Sequence, residues 1–230
     1  MAWQRGQHGQ HRERGTHWQA WHEPYDDPGS SLSRRLAHIQ RRVTQVLDDL
    51  PSGPIRVLSM CAGQGRDLFG PLASHARRHD VRARLVELDA TNAEVARRRA
   101  RETGLAGVEV VTGDASLTSA YADVVPADLA LVCGVFGNIP DGDVRATVEA
   151  MPTLVRSGGT VIWTRHRGEP DLTPAIRQWF AGAGFDEVGW DVEEGFRYAV
   201  GTHRLAGPGR SLEPGITLFR FVGDGSSAFS

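Results

Sequence analysis

The feature that most constrains this chain is an alternation that begins at Ile55, where short apolar runs are separated by longer stretches of helical character. The runs are Ile55–Met60, Val81–Leu88, Val108–Val111, Asp128–Cys133, Thr160–Thr164, Phe185–Trp190 and Ile216–Val222. Helical stretches fall between them at Arg66–His79, Asn92–Thr103, Asp143–Val155 (with Pro152 expected to shorten or bend it) and Thr173–Gly182. Strands that alternate with helices cannot pair as hairpins, so the pattern predicts a doubly wound α/β sheet. Asp128–Cys133 is nearly all apolar, as a central parallel strand covered on both faces must be. Ahead of the alternation, Leu32, Leu36, Ile39, Val43, Val46 and Leu50 recur at three- and four-residue steps, so Ser31–Leu50 reads as an amphipathic helix ended by Pro51-Ser52-Gly53-Pro54.

This division gives an N-terminal extension over residues 1–50, a main domain over 51–223 with a polar, Gly-rich insertion at 191–214 before the last strand, and a loose tail at 224–230. No apolar run approaches the roughly 18 residues of a membrane helix, and Met1–Ala20 has no secretory apolar core. A cytoplasmic protein, monomeric or homodimeric, is expected. A net charge of −2 argues against a nucleic-acid partner. The chain has two cysteines, Cys61 and Cys133, without zinc-site spacing, so no metal is expected. It has no lysine. That excludes pyridoxal Schiff-base, P-loop and kinase-type chemistry, each of which needs an ε-amine.

In open α/β sheets, ligands bind beyond the carboxyl ends of the strands. The first strand delivers Ser59-Met60-Cys61-Ala62-Gly63-Gln64-Gly65-Arg66-Asp67, whose glycines let a ligand approach the backbone while the following helix offers its first amides. The third glycine of a nicotinamide fingerprint is missing, since Leu68 stands there. About twenty residues on, Glu87-Leu88-Asp89 supplies acids able to bind ribose hydroxyls. Strand three ends in Gly113-Asp114-Ala115, where Asp114 could accept from an adenine amino group, and strand four ends in Cys133-Gly134.

In order and spacing these segments resemble the class I S-adenosylmethionine-dependent methyltransferases over roughly Ile55 to Val222. The resemblance implies a Rossmann-like, mostly parallel seven-stranded sheet with helices on both faces and an antiparallel last strand, taken as Ile216–Val222. It implies S-adenosylmethionine as cofactor: Gly63 and Gly65 beneath its methionine part, Glu87 or Asp89 on the ribose with Leu88 beside them, Asp114 and Ala115 at the adenine, Cys133 and Gly134 near the methionine amine. Ser59, Cys61 and Ala62 belong to the same loop. Two positions depart from the family: Ser59 where an acid is usual, and Cys61 where the first glycine is usual. A cysteine there is expected to keep an ordinary φ and to take slightly more room. With strands one and four adjacent, the two cysteines are expected close together as packing residues rather than as a redox pair.

Methyl transfer needs an in-line nucleophile, and a base only where the acceptor must lose a proton. The candidate acceptor-side residues are Asn138 after strand four, His166 after strand five, His203 in the insertion, and Tyr25 in an N-terminal lid. Three of them have a plainer reading: a surface histidine for His166, a solvated loop for His203 and an aromatic anchor for Tyr25. The expected activity is transfer of a methyl group to an O or N atom of a small-molecule acceptor. The alternatives are an RNA methyltransferase using the Arg-rich N-terminus, a non-catalytic cofactor-binding protein and an NAD-dependent oxidoreductase.

Overall fold

The computed structural model describes Asp27 and residues 29–222. Its elements are α1 (Ser31–Asp49), β1 (Ile55–Met60), α2 (Arg66–Leu72), β2 (Val81–Glu87), α3 (Ala90–Glu102), β3 (Val108–Thr112), β4 (Ala127–Val132), α4 (Asp141–Leu154), β5 (Val155–His166), α5 (Thr173–Gly182), β6 (Phe185–Val192) and β7 (Tyr198–Leu205). The strands form one seven-stranded sheet in the order β3-β2-β1-β4-β5-β7-β6. Six run in one direction, and β7 inserts antiparallel between β5 and β6. The expected sheet is therefore present.

Helices cover both faces because each sheet face is apolar. On one, Ile39, Val43 and Leu47 of α1 join Leu68 of α2 and Ala93 and Ala96 of α3 over Val57, Leu85 and Leu131. On the other, Val144, Val148 and Met151 of α4 and Ile176 and Phe180 of α5 pack over Leu58, Ala130 and Trp163. Helix α1 thus contributes directly to the core. Ser30 caps its start, accepting from the Ser33 amide at 3.0 Å. Arg77 caps its end, donating to the carbonyls of Leu50 (2.7 Å) and Gly53 (2.8 Å). The chain enters α1 at the carboxyl edge of the sheet and leaves it at the amino edge, where Asp49 pairs with Arg204.

The antiparallel strand is Tyr198–Leu205, not Ile216–Val222. The span 191–214, expected as a loop insertion, holds this strand, and all but one of its residues are buried. Residues 216–222 instead form a strap: the Leu218 amide donates to Ser116 O, the Thr147 hydroxyl to Leu218 O, and Leu218 and Phe219 are buried. Its apolarity serves core packing. Helix α2 is also shorter than expected, ending at Leu72 just after Pro71, whereas α4 runs through Pro152.

His203, expected in a loop, lies in β7 opposite Val161 in the middle of β5, with 1 % of its surface exposed. It stacks on Phe180 (4.4 Å between ring centroids), and its Nδ1 accepts from Trp163 Nε1 at 3.1 Å. This places it in the core beneath the sheet and away from the strand ends. Burial pushes its pKa down to about 4. An unfolded histidine titrates near 6.5, so this contribution to stability is complete above pH 6.5 and is lost as pH falls toward 4. A loss of about 3 kcal/mol across that window is expected. Denaturant titrations at pH 7 and pH 4.5 check this; an equally steep acid loss in His203→Gln would contradict it.

Candidate functional site

The glycine loop follows directly from the end of β1. Cys61 (φ 50°), Gly63 (54°) and Gly65 (70°) are all left-handed, so the backbone turns three times within five residues. Cys61 does not keep an ordinary φ, contrary to the sequence expectation. It adopts the conformation a glycine would take, at a cost of about 1 kcal/mol. Gly65 has no substitute: a Cβ there would meet Phe69 Cδ2 at 2.6 Å.

The left-handed turn at Cys61 also separates the cysteines. The register of β1 on β4 pairs Ser59 with Leu131, and two further steps bring Cys61 beside Cys133. Cys61 nevertheless packs on the α4/α5 side, and Cys133 on the α1/α2 side. Both thiols are free, and burial raises the pKa of each. They are packing residues on opposite faces, as one of the two sequence readings had it.

Glu87, at the end of β2, is nearly buried and closes the loop. Its Oε2 accepts from the Gly63 amide at 2.7 Å and its Oε1 from the Asp89 amide at 2.9 Å. Burial raises its pKa and these amides oppose the rise, so the ionised carboxylate is held by backbone donors. Each oxygen keeps a lone pair for a further donor. Asp89 serves a structural role, its carboxylate accepting from the Asn92 amide (2.8 Å) as the N-cap of α3. Leu88 between them is 66 % exposed, a large apolar side chain presented at the carboxyl edge.

Asp114 lies exposed after β3, one oxygen accepting from the Ser116 amide at 2.8 Å. Ala115 is buried, and its carbonyl accepts from the Tyr121 hydroxyl. Burial raises the Cys61 thiol pKa first, and the charges of Glu87 and Asp114 add to the rise, so both acids lie within electrostatic reach of Cys61. Ser59 is buried within β1. After β4, Gly134 (φ 77°) has its amide held by Thr164 Oγ1 (2.9 Å), and its carbonyl accepts from Asn138 Nδ2 (2.7 Å). Asn138 therefore ties down its own loop, leaving its amide oxygen for other partners.

His166 is exposed at the end of β5, its Nδ1 accepting from the Gly168 amide at 2.9 Å. In that tautomer Nε2 carries the proton and is a donor. Tyr25 lies outside the described residues. Three features escaped the sequence reading. Two are Asp67 and Arg35, whose charges both act on the Cys133 thiol. The third is a polar latch at the same edge, where Glu193 accepts from Arg34 and from the Tyr198 hydroxyl (3.0 Å) and lies 3.3 Å from His38 Nε2. Asp191 takes Arg42 (2.6 Å) and Arg41 (2.8 Å) beside it. The latch joins the start of α1 to the β6–β7 hairpin. Acid–base pairs some 150 residues apart leave no local sequence signal.

A family model described as "Putative methyltransferase" matches residues 30–180. No curated protein sequence matches the chain. Among solved structures, magnesium protoporphyrin IX methyltransferase from Synechocystis PCC 6803 with bound S-adenosylmethionine is 14 % identical, with a TM-score of 0.61 over 83 % of this chain and 91 % of that one. The 1,6-didemethyltoxoflavin-N1-methyltransferase of Burkholderia thailandensis, with its substrate and S-adenosylhomocysteine, is 16 % identical, with a TM-score of 0.60 over 83 % and 84 %. An O-methyltransferase family protein from Burkholderia thailandensis is 18 % identical, with a TM-score of 0.55 over 81 % and 68 %. At these identities the structures speak to the fold, and the family model to membership. With the family matched from α1 into α5 and the strand order 3-2-1-4-5-7-6 around it, the chain belongs to this methyltransferase family within the class I S-adenosylmethionine-dependent superfamily.

Proposed function

We propose that the protein transfers the methyl group of S-adenosylmethionine to an O or N atom of a small-molecule acceptor. The observation that carries the cofactor reading is Glu87, nearly buried yet ionisable, set by two backbone amides at the carboxyl ends of β1 and β2. An acid so fixed suits two vicinal ribose hydroxyls, with Leu88 as an apolar wall and Asp114 an acceptor for an exocyclic amine. Gly63, Gly65 and the Cys133-Gly134 backbone face the remaining, methionine end. The sulfonium supplies an activated methyl group. The chain's own contribution is to fix the donor and hold the acceptor in line.

The acceptor side is bounded by the loop after β4, His166 and the α1–hairpin latch. The neighbours with named substrates, a protoporphyrin and a toxoflavin precursor, act on small ring compounds, which supports a small acceptor. His166, with Nε2 as donor, orients an acceptor in this tautomer, and it acts as a base only if the Gly168 amide releases Nδ1. Tyr25, which precedes α1 in the sequence, is assigned on this reading to a lid over the acceptor.

Methyl-labelled S-adenosylmethionine incubated with the protein and either a low-mass metabolite filtrate or total RNA tests this. Label is expected in the filtrate alone. Label in RNA alone would replace the small-molecule reading by the RNA one.

A further inference from the structure

The cofactor reading uses the acids at the ends of β2 and β3 and leaves the arginines at the end of β5 without a task. The Arg167 amide donates to the Arg197 carbonyl at 3.0 Å, one step beyond the His166–Tyr198 pair that ends the β5–β7 ladder. The two arginines therefore stand directly opposite each other. Cβ atoms so placed are about 5 Å apart, and like charges there repel. Arg167 is half-exposed and has one counter-ion, Asp171, at 3.2 Å. Asp171 divides its charge, because its other oxygen accepts from the Thr173 amide and hydroxyl at the start of α5. Arg197 is exposed, and no described side chain forms an ion pair or hydrogen bond with its guanidinium.

Alternation along the strand puts Arg165 and Arg167 on one face and His166 on the other. Arg165 shows what that face meets. Its guanidinium donates to the Phe136 carbonyl and lies 3.3 Å from Asp141, at the two ends of the loop that carries Asn138. Arg167 and Arg197 stand one step further out along the same face, at the acceptor side. The latch fixes the hairpin that carries Arg197, through Glu193 and the Tyr198 hydroxyl. The acids nearby do not neutralise the pair. Asp141 serves Arg165 and Glu193 serves the latch, while Glu169 and Glu194 are exposed and pair with no described residue.

We propose that the acceptor carries an anionic group, a carboxylate or a phosphate, and that Arg197 and Arg167 hold it, an assignment that rests on the small-molecule reading above. Two opposed guanidinium groups with one counter-ion keep donors free. An anion between them relieves their repulsion and accepts paired hydrogen bonds from a planar fork. The anionic group is a handle: the methyl group goes to a different atom, so the product keeps its negative charge. The contact acts on the acceptor and leaves the binding of the cofactor unchanged.

The test uses methyl-labelled S-adenosylmethionine with the low-mass metabolite filtrate. Formation of S-adenosylhomocysteine reports turnover, and an anion-exchange resin at neutral pH sorts the product from the cationic donor. With the unaltered protein, label is expected on the resin. Arg197→Gln is expected to slow turnover about tenfold in dilute filtrate, the scale of one charged hydrogen bond, with the loss shrinking as the filtrate is concentrated. Arg197→Lys should recover part of the rate, and calorimetric affinity for S-adenosylhomocysteine should stay within about twofold in both variants. Turnover that leaves the resin bare would overturn the proposal, as would an unchanged rate in Arg197→Gln or a loss equal at every dilution. Phosphatase treatment of the filtrate beforehand separates the two anions, abolishing resin-bound label for a phosphate handle and sparing it for a carboxylate. If the unaltered protein turned over nothing in the filtrate, the small-molecule reading itself would fall, an outcome distinct from loss in the variant alone.

Discussion

Gly201→Val is expected to destabilise the protein by about 3 kcal/mol or more, the upper range for overpacking a core. Gly201 lies in β7 between Trp163 of β5 and Trp190 of β6 in register. The two indoles approach to 5.8 Å between ring centroids over the gap the glycine leaves. A Cβ there would stand 2.5 Å from Trp163 Cζ2 and Nε1. Trp163 cannot yield, because it is fully buried, stacked on Phe180 and hydrogen-bonded to His203. Its movement would leave the indole N–H without an acceptor, a further cost. A melting temperature lower by roughly 6–12 °C is the expected readout. Gly182→Ala serves as comparison: a Cβ there meets nothing within 4 Å, so little change or a small gain is expected. Equal melting temperatures for Gly201→Val and the unaltered protein would show that the β5–β7–β6 packing is wrong.

Glu87→Ala is expected to lower affinity for S-adenosylmethionine by about 100-fold or more, since two hydrogen bonds to a charged acceptor are lost together. The substitution also leaves the Gly63 and Asp89 amides without their acceptor, so the glycine loop loosens at the same time. Its effect on stability is smaller, about 1–2 kcal/mol, because removing a buried carboxylate recovers desolvation energy. Glu87→Gln keeps one acceptor oxygen and is expected to fall between. The direction with pH is fixed as well. The ionised form binds, and burial raises the Glu87 pKa above the ordinary value. Affinity is therefore held at neutral pH and lost on acidification earlier than for an exposed glutamate. Affinity in Glu87→Ala equal to that of the unaltered protein would remove Glu87 from the site.

Six of the seven strands were legible because parallel strands buried on both faces must be apolar runs, and Ile55–Met60 or Ala127–Val132 can be little else. The seventh was not. Tyr198–Leu205 is equally buried, yet it includes Gly201, Thr202, His203 and Arg204, and its fit depends on contacts that only the fold creates. Gly201 is there to admit Trp163, and His203 to accept from the Trp163 N–H. The more apolar Ile216–Val222 drew the assignment for that reason, and its hydrophobicity goes into a core strap. The site divides in the same way. Glu87 and the glycines follow from strand ends and spacing. The left-handed Cys61 and the latch of Arg34 and Arg42 on Glu193 and Asp191 depend on which faces meet, and pairs 159 and 149 residues apart leave no periodic trace.

The central claim is that the glycine loop, Glu87 and Asp114 together bind S-adenosylmethionine. Isothermal titration of the unaltered protein with S-adenosylmethionine and, separately, with NADH tests it most directly. The account predicts a saturable one-site isotherm of about micromolar affinity for the methyl donor, and none for NADH, since Leu68 stands where a third glycine would be needed. A folded sample that gave heat with NADH and none with S-adenosylmethionine would contradict it.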